Sequence, residues 1–259
     1  MRKILTGSAL AAALVLAGCG GSEPKKEESK NAPPAATAPP VDEANAATVT
    51  GKVSFTGDKP KVATIDMSAN PACARAHSGA PAKSEEVVVN DNGTLKNVLV
   101  YVKGVPDRQY PTPSSAVTLD QKGCQYGPHV IAVMAGQNIE VKNDDPTNHN
   151  IHPLPKINQE WNESQAPGSE PKMKSFAREE IDPPIAVKCN VHPWMRSYIA
   201  VSNNPYFAVT GDDGTYTIKG LPPGSYTLVS WHEKYGKKET PVTVAAKDSK
   251  TVDVSYDGK

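Results

Sequence analysis

Cys189-Asn190-Val191-His192-Pro193-Trp194-Met195 sets a thiol, an imidazole and a thioether each three positions from the next. Thiolate and thioether are soft donors, and imidazole suits both copper oxidation states. One short loop therefore offers a lone transition-metal ion two strong ligands and a weak axial one. A second imidazole is still required. The upstream run Asn143-Asp144-Asp145-Pro146-Thr147-Asn148-His149-Asn150-Ile151-His152 holds two. Side chains alternate faces along a strand, so His149 and His152, an odd number apart, do not both point at one ion if that strand is regular. Blander readings compete: a Cys in a β-protein is commonly a small buried hydrophobe, and a Met beside a Trp can be packing. Structural zinc takes closed sets of Cys and His without a thioether. Attached haem needs C-x-x-C-H, which the sequence lacks.

The surroundings of these runs predict an all-β chain. Pro and Gly are plentiful, runs rich in Val, Thr, Ile and Tyr recur at short intervals, and no long segment has a helical period. Lys plus Arg total 28 and Asp plus Glu total 28, so overall charge suggests neither nucleic acid nor an anionic membrane surface as partner.

From about Val117 to Ser202 the sequence resembles the cupredoxins, and its C-x2-H-x2-M loop is most similar to the amicyanin type. The resemblance is carried by Gly127-Pro128-His129-Val130-Ile131-Ala132-Val133, the turn Ala135-Gly136-Gln137, the strand Ile139-Glu140-Val141-Lys142-Asn143, the pair His149-Asn150 and the Cys189 loop. It implies a Greek-key β-sandwich holding one type 1 copper by His149, Cys189, His192 and axial Met195, with Asn150 fastening the ligand loop. It also implies that His192 shows a ring edge at the surface as the electron exit. Pro153, Pro193 and Trp194 would then form an apolar docking patch for redox protein partners, although packing of the loop explains Trp194 equally well.

Beyond the loop, Phe207 to Ile218 reads as two strands about the turn Asp212-Asp213-Gly214, and Leu221-Pro222-Pro223-Gly224 repeats the device, which predicts a hairpin meander. This segment resembles the carboxypeptidase regulatory-like module, a small transthyretin-like β-sandwich. That family opens with a Gly-x-Val strand, and Thr48-Val49-Thr50-Gly51-Lys52-Val53 lies far upstream. Two organisations fit. Residues 48–112 and 204–259 form one sandwich interrupted by a copper domain at 113–203, or the early strands belong to the copper sandwich and the domains are consecutive.

Met1-Arg2-Lys3 followed by the apolar run Ile4 to Leu16 is too short for a permanent membrane span and reads as an export signal over residues 1–18. Leu16-Ala17-Gly18-Cys19 resembles the lipobox of bacterial lipoproteins, which implies a lipidated Cys19 and a place in the bacterial cell envelope, anchored to the membrane and facing the periplasm or cell surface. The stretch to Ala47 is poor in large apolar residues and reads as a tether whose coil dimension is about 30 Å. Of four cysteines, Cys19 goes to lipid and Cys189 to the metal. Cys73 and Cys124 remain, either as a disulfide favoured by an oxidising compartment or as a second metal site with His77 and His129.

These readings converge on a membrane-tethered electron carrier rather than an enzyme. Copper handling is the first alternative, but the five Met are scattered rather than clustered. A structural envelope lipoprotein is the second. A copper enzyme would need a further cluster of three His, and a dinuclear centre a second Cys on the loop.

Overall fold

The computed structural model describes residues 42–259. The export signal, Cys19 and the tether up to Val41 lie outside them. A short 3-10 turn at Glu43–Asn45 leads into β1 (Ala47–Phe55), so residues 43–47, assigned to the tether from the sequence, carry secondary structure. Ala47, Val49, Gly51, Val53 and Phe55 are buried alternately, the two-residue period expected of a strand with one face on a core. A long connection follows, carrying α1 (Pro71–Ala76), and the chain returns as β2 (Leu99–Lys103).

The middle of the chain forms its own sandwich from β3 (Val117–Lys122), β4 (Gln125–Gly127), β5 (Val130–Met134), β6 (Ile139–Asn143), β7 (His149–Leu154), β8 (Glu163–Gln165), β9 (Lys172–Lys174), β10 (Glu180–Lys188) and β11 (Arg196–Ser202). One sheet runs β4-β3-β6-β9 and the other β5-β11-β10-β7-β8. The pairs β3–β6 and β5–β11 are parallel while the rest are antiparallel, so the chain crosses between sheets rather than zigzagging within one. Leu119, Ile131, Val133, Ile139, Val141, Ile151, Ile185 and Ile199 close the core between them.

The remaining strands are β12 (Phe207–Val209), β13 (Thr215–Leu221), β14 (Gly224–His232), β15 (Gly236–Val244), β16 (Ser249–Thr251) and β17 (Val254–Tyr256). They join the two earliest strands: β1 pairs with β13, β16 and β17, and β2 pairs with β12 and β14. Val49, Val53, Val100, Val102, Ile218, Leu228 and Val242 pack in the resulting core. The whole described chain is thus nearly all β, as its composition predicts.

The expected meander is not what forms. β12 lies beside β2 and β13 beside β1, so the Asp212-Asp213-Gly214 turn carries the chain from one sheet to the other, and Leu221-Pro222-Pro223-Gly224 carries it back. Gly214 has φ +66 as the turn reading requires, and a Cβ there would sit 2.1 Å from the Thr94 Cβ. Turn chemistry specifies the bend but not the neighbour. In contrast, β14 and β15 do form a long hairpin, paired from Gly224↔Val244 to His232↔Gly236.

The two sandwiches meet over Leu99, Tyr101, Val130, Ala200, Val229 and Trp231, with Tyr198 and Trp231 rings edge to face at 5.1 Å. Asp182 accepts from Lys103 and Lys237 across the seam, and His129 bonds Glu233. His232 is buried next to these groups with the Tyr235 and Tyr256 rings against it. Burial lowers its pKa from 6.5 to about 4, with Glu233 opposing and His129 reinforcing the shift. Between those values the unfolded chain binds the proton that the folded chain refuses. The stabilisation from His232 is therefore complete above pH 6.5 and is lost as pH falls toward 4, by about 3 kcal/mol at most. Urea unfolding of the metal-free protein at pH 7 and pH 4.5 checks this: His232→Asn is expected to lose less stability on acidification than the native chain.

Candidate metal centre

The ligand loop is the tip of the β10–β11 hairpin. Lys188 pairs with Arg196, so residues 189–195 span the turn, and Cys189 N–H donates to Met195 O at 3.3 Å while Met195 N–H donates to His192 O at 3.0 Å. This closes the loop on itself and turns Cys189, His192 and Met195 inward, each between 1% and 3% exposed. Neighbouring β7 delivers His149 at its first residue, fully buried. His149 Nδ1 lies 2.9 Å from His192 Nδ1, and Cys189 Sγ lies 3.7 Å from the same nitrogen. The donor atoms of His149, Cys189 and His192 all fall within 4.8 Å of one another.

Asn150 lies against the loop: its Oδ1 accepts from Asn190 N–H at 2.7 Å and lies 3.4 Å from Cys189 Sγ. His152 points the other way. Its Nδ1 sits 3.2 Å from Asn190 Oδ1 and its Nε2 2.6 Å from Glu160, so it braces the loop from outside and leaves His149 as the inward imidazole.

Two contributors escaped the sequence reading. Asp145 receives His149 Nε2 at 2.8 Å and also accepts from Gly123 and Cys124 N–H, each at 2.7 Å. A carboxylate on the outer nitrogen places the proton there and leaves Nδ1 free as a donor. Its place four residues ahead of His149 was the available signal. Asn70 caps α1 with Oδ1, accepting from Ala72 and Cys73 N–H, and sets its Nδ2 2.7 Å from His192 Nε2. Nothing local in the sequence marks that contact.

The electrostatics suit cation binding. Burial alone would raise the Cys189 thiol pKa, but the His149 hydrogen bond and backbone groups of Asn150, His192 and Val191 outweigh it and lower the pKa. For His149, burial pulls down while Asp145 and Cys189 pull up more strongly, and the net shift is upward. His192 is lowered, by burial first and then by the charge of His149. The thiolate and the neutral His192 imidazole are in the donor state a metal requires, whereas the upward shift of His149 means that metal and proton compete for its Nδ1. Two imidazole nitrogens facing each other, a thiol beside them and a thioether-bearing residue in the same buried loop fit a copper ion.

Three expectations are corrected here. His192 shows no ring edge, being 1% exposed, because Asn70 and the helix it caps lie over it. Pro153 is buried in β7 rather than part of a patch, while Pro193 is exposed. Trp194 packs inward, its ring 5.2 Å from His192 and its Nε1–H donating to Cys124 O at 3.0 Å. Of the two readings of that residue, loop packing is the one realised. Cys73 and Cys124 form a disulfide, which ties α1 to the β3–β4 turn. The alternative site is not assembled, since His77 bonds Gly123 O and His129 bonds Glu233.

Comparison with known proteins adds to this geometry. Residues 197–256 match the carboxypeptidase regulatory-like domain. The match to this regulatory-like module begins within β11 and leaves out β1 and β2, which complete its sheets. No curated protein matches the chain. Among solved structures, the chain is similar to the Cu-containing nitrite reductase from Thermus scotoductus SA-01, at 18% identity and TM-score 0.31 over 38% of this chain and 24% of that one. The chain thus spans about a quarter of that enzyme's length. A purple cupredoxin from Nitrosopumilus maritimus is similar at 19% identity and TM-score 0.28, over 33% of this chain and 99% of that one. The reduced Cu(I) form of an amicyanin variant at pH 4 is similar at 17% identity and TM-score 0.30, over 40% of this chain and 98% of that one. The case for a metal centre rests on the donor atoms described above.

Proposed function

We propose that the protein is an extracytoplasmic electron carrier, anchored through lipid on Cys19, with one type 1 copper held by His149, Cys189, His192 and axial Met195. The observation that carries this reading is the convergence of two Nδ1 atoms and a thiol in a buried pocket. When bound, copper supplies a one-electron couple that soft sulfur and imidazole donors support in both states. The chain's own residues do the rest. Cys189 enters as thiolate, Asp145 keeps the His149 proton on Nε2, and Asn150 and His152 hold the loop from two sides. The buried surround keeps water out, so little has to reorganise when the charge changes.

A redox titration of the copper-loaded protein tests this, with reversible one-electron cycling as the expected result. An irreversible centre, or one that gives up its metal on reduction, favours copper handling instead. In Met195→Gln the soft axial donor becomes an amide oxygen, which favours Cu(II), so the midpoint potential is expected to fall. An unchanged potential would remove Met195 from the ligand set.

A further inference from the structure

Electron exchange in such a carrier needs a face where the ligands approach solvent, and the His192 side is closed. His192 Nε2 faces Asn70, the Trp194 ring lies against the imidazole, and the disulfide fixes α1 over both. The loop surfaces elsewhere. Val191, between the Cys and His donors, is 51% exposed, and Leu154 on the adjoining strand is 38% exposed. Beside them runs a groove of about 460 Å³ whose lining includes Leu154, Lys188, Cys189, Asn190, Pro193 and Arg196.

Charge at this groove is one-sided. Lys188 and Arg196 are both exposed and are directly opposite each other across the β10–β11 pair. Like charges in that register cost stability. Neither forms an ion pair among the described residues, and no carboxylate lines the groove. The nearby carboxylate of Glu160 is engaged by His152. Arg196 also borders an adjoining cleft that holds Glu85, Glu86 and Glu233, but the charged groups lining the groove itself are cations alone, and with apolar Val191, Pro193 and Leu154 around it this face beside Cys189 is a surface fitted to an anionic partner.

We propose that this face is where electrons enter and leave, and that the partner is a redox protein presenting an acidic docking surface. The inference rests on the electron-carrier reading. With copper bound, Cys189 and its flanking backbone would be the route for one electron, lost by the centre and gained by the docked partner, with no bond or proton exchanged. The return step reverses it. A small interface with charged steering gives fast and brief encounters.

The test is stopped-flow oxidation by hexacyanoferrate(III), an anionic probe, comparing the native protein with the Lys188→Glu, Arg196→Glu double variant, each loaded with copper and reduced to Cu(I) beforehand. At low ionic strength the variant is expected to react at least about tenfold more slowly. The difference should shrink at about 0.5 M salt, where exposed charges are screened. Charge reversal at the distant, exposed Lys250 should change little. Equal rates for the native and double-variant proteins would overturn the proposal. Amide shifts of the metal-free protein on adding redox-inert hexacyanocobaltate(III) give a second readout. Shifts at Asn190, Val191 and Arg196 support the face, whereas shifts confined to residues 70–78 contradict it. If the loaded protein shows no thiolate-to-copper band, the carrier reading falls and takes this inference with it. A band together with unchanged exchange rates removes the inference alone.

Discussion

Replacing both Cys73 and Cys124 with Ser is expected to lower the unfolding free energy by about 4 kcal/mol. The disulfide spans 51 residues, and in the chain-entropy account closing a loop of that size removes about this much freedom from the unfolded chain. Both sulfurs are buried, so the substitution also places two hydroxyls in an apolar cluster and adds to the loss. Guanidinium unfolding of the metal-free double variant checks the figure. A change of less than about 1 kcal/mol would mean that α1 is held mainly by its other contacts, among them Asn70 on His192 and His77 on Gly123. The same variant should lose copper to a chelator faster than the native protein, because the segment over His192 is no longer tied down.

The second large effect is at the thiol. Cys189→Ser is expected to weaken copper binding by well over a hundredfold, since removing even an outer partner of a ligand commonly costs roughly 10–100-fold and this change removes a principal donor. His152→Ala, which alters only a brace outside the loop, should keep a full equivalent of metal. Competition with a chelator, followed by metal analysis, separates the two. Retention of copper by Cys189→Ser at native affinity would place the ion elsewhere, and loss of copper in His152→Ala would reopen the choice between the two imidazoles.

That choice shows what was readable in advance. Strand alternation separates His149 from His152 before any coordinates, and the structure buries the first and braces the loop with the second. The β6 strand at Ile139–Asn143 falls where the family resemblance puts it. Cysteine arithmetic leaves Cys73 and Cys124 over once the other two are assigned, and of the disulfide and the second metal site the disulfide is the one formed. Local patterns failed where the answer depended on distant chain. Turn residues say that β12, β13 and β14 are strands but not which sheet each joins, so an apparent meander became a chain passing between two sheets.

The covering of His192 was hidden for a related reason. It depends on Asn70, 122 residues away, in a connection whose one helix is six residues long and has no periodic signature. An exposed His192 edge was an expectation carried over from the family resemblance, and the connection between β1 and β2 overrides it. Asp145 stood in plain view within an acidic loop, but an acid there reads equally well as a turn residue until its bonds to His149 and two backbone N–H groups are seen.

The most direct measurement is the visible absorption spectrum of the native protein after addition of one equivalent of Cu(II) in air. An intense thiolate-to-copper band in the blue-to-green colour range, bleached by reductant and restored by oxidant, is the predicted result. A protein that stays colourless with Cu(II) present would contradict the copper centre at His149, Cys189 and His192.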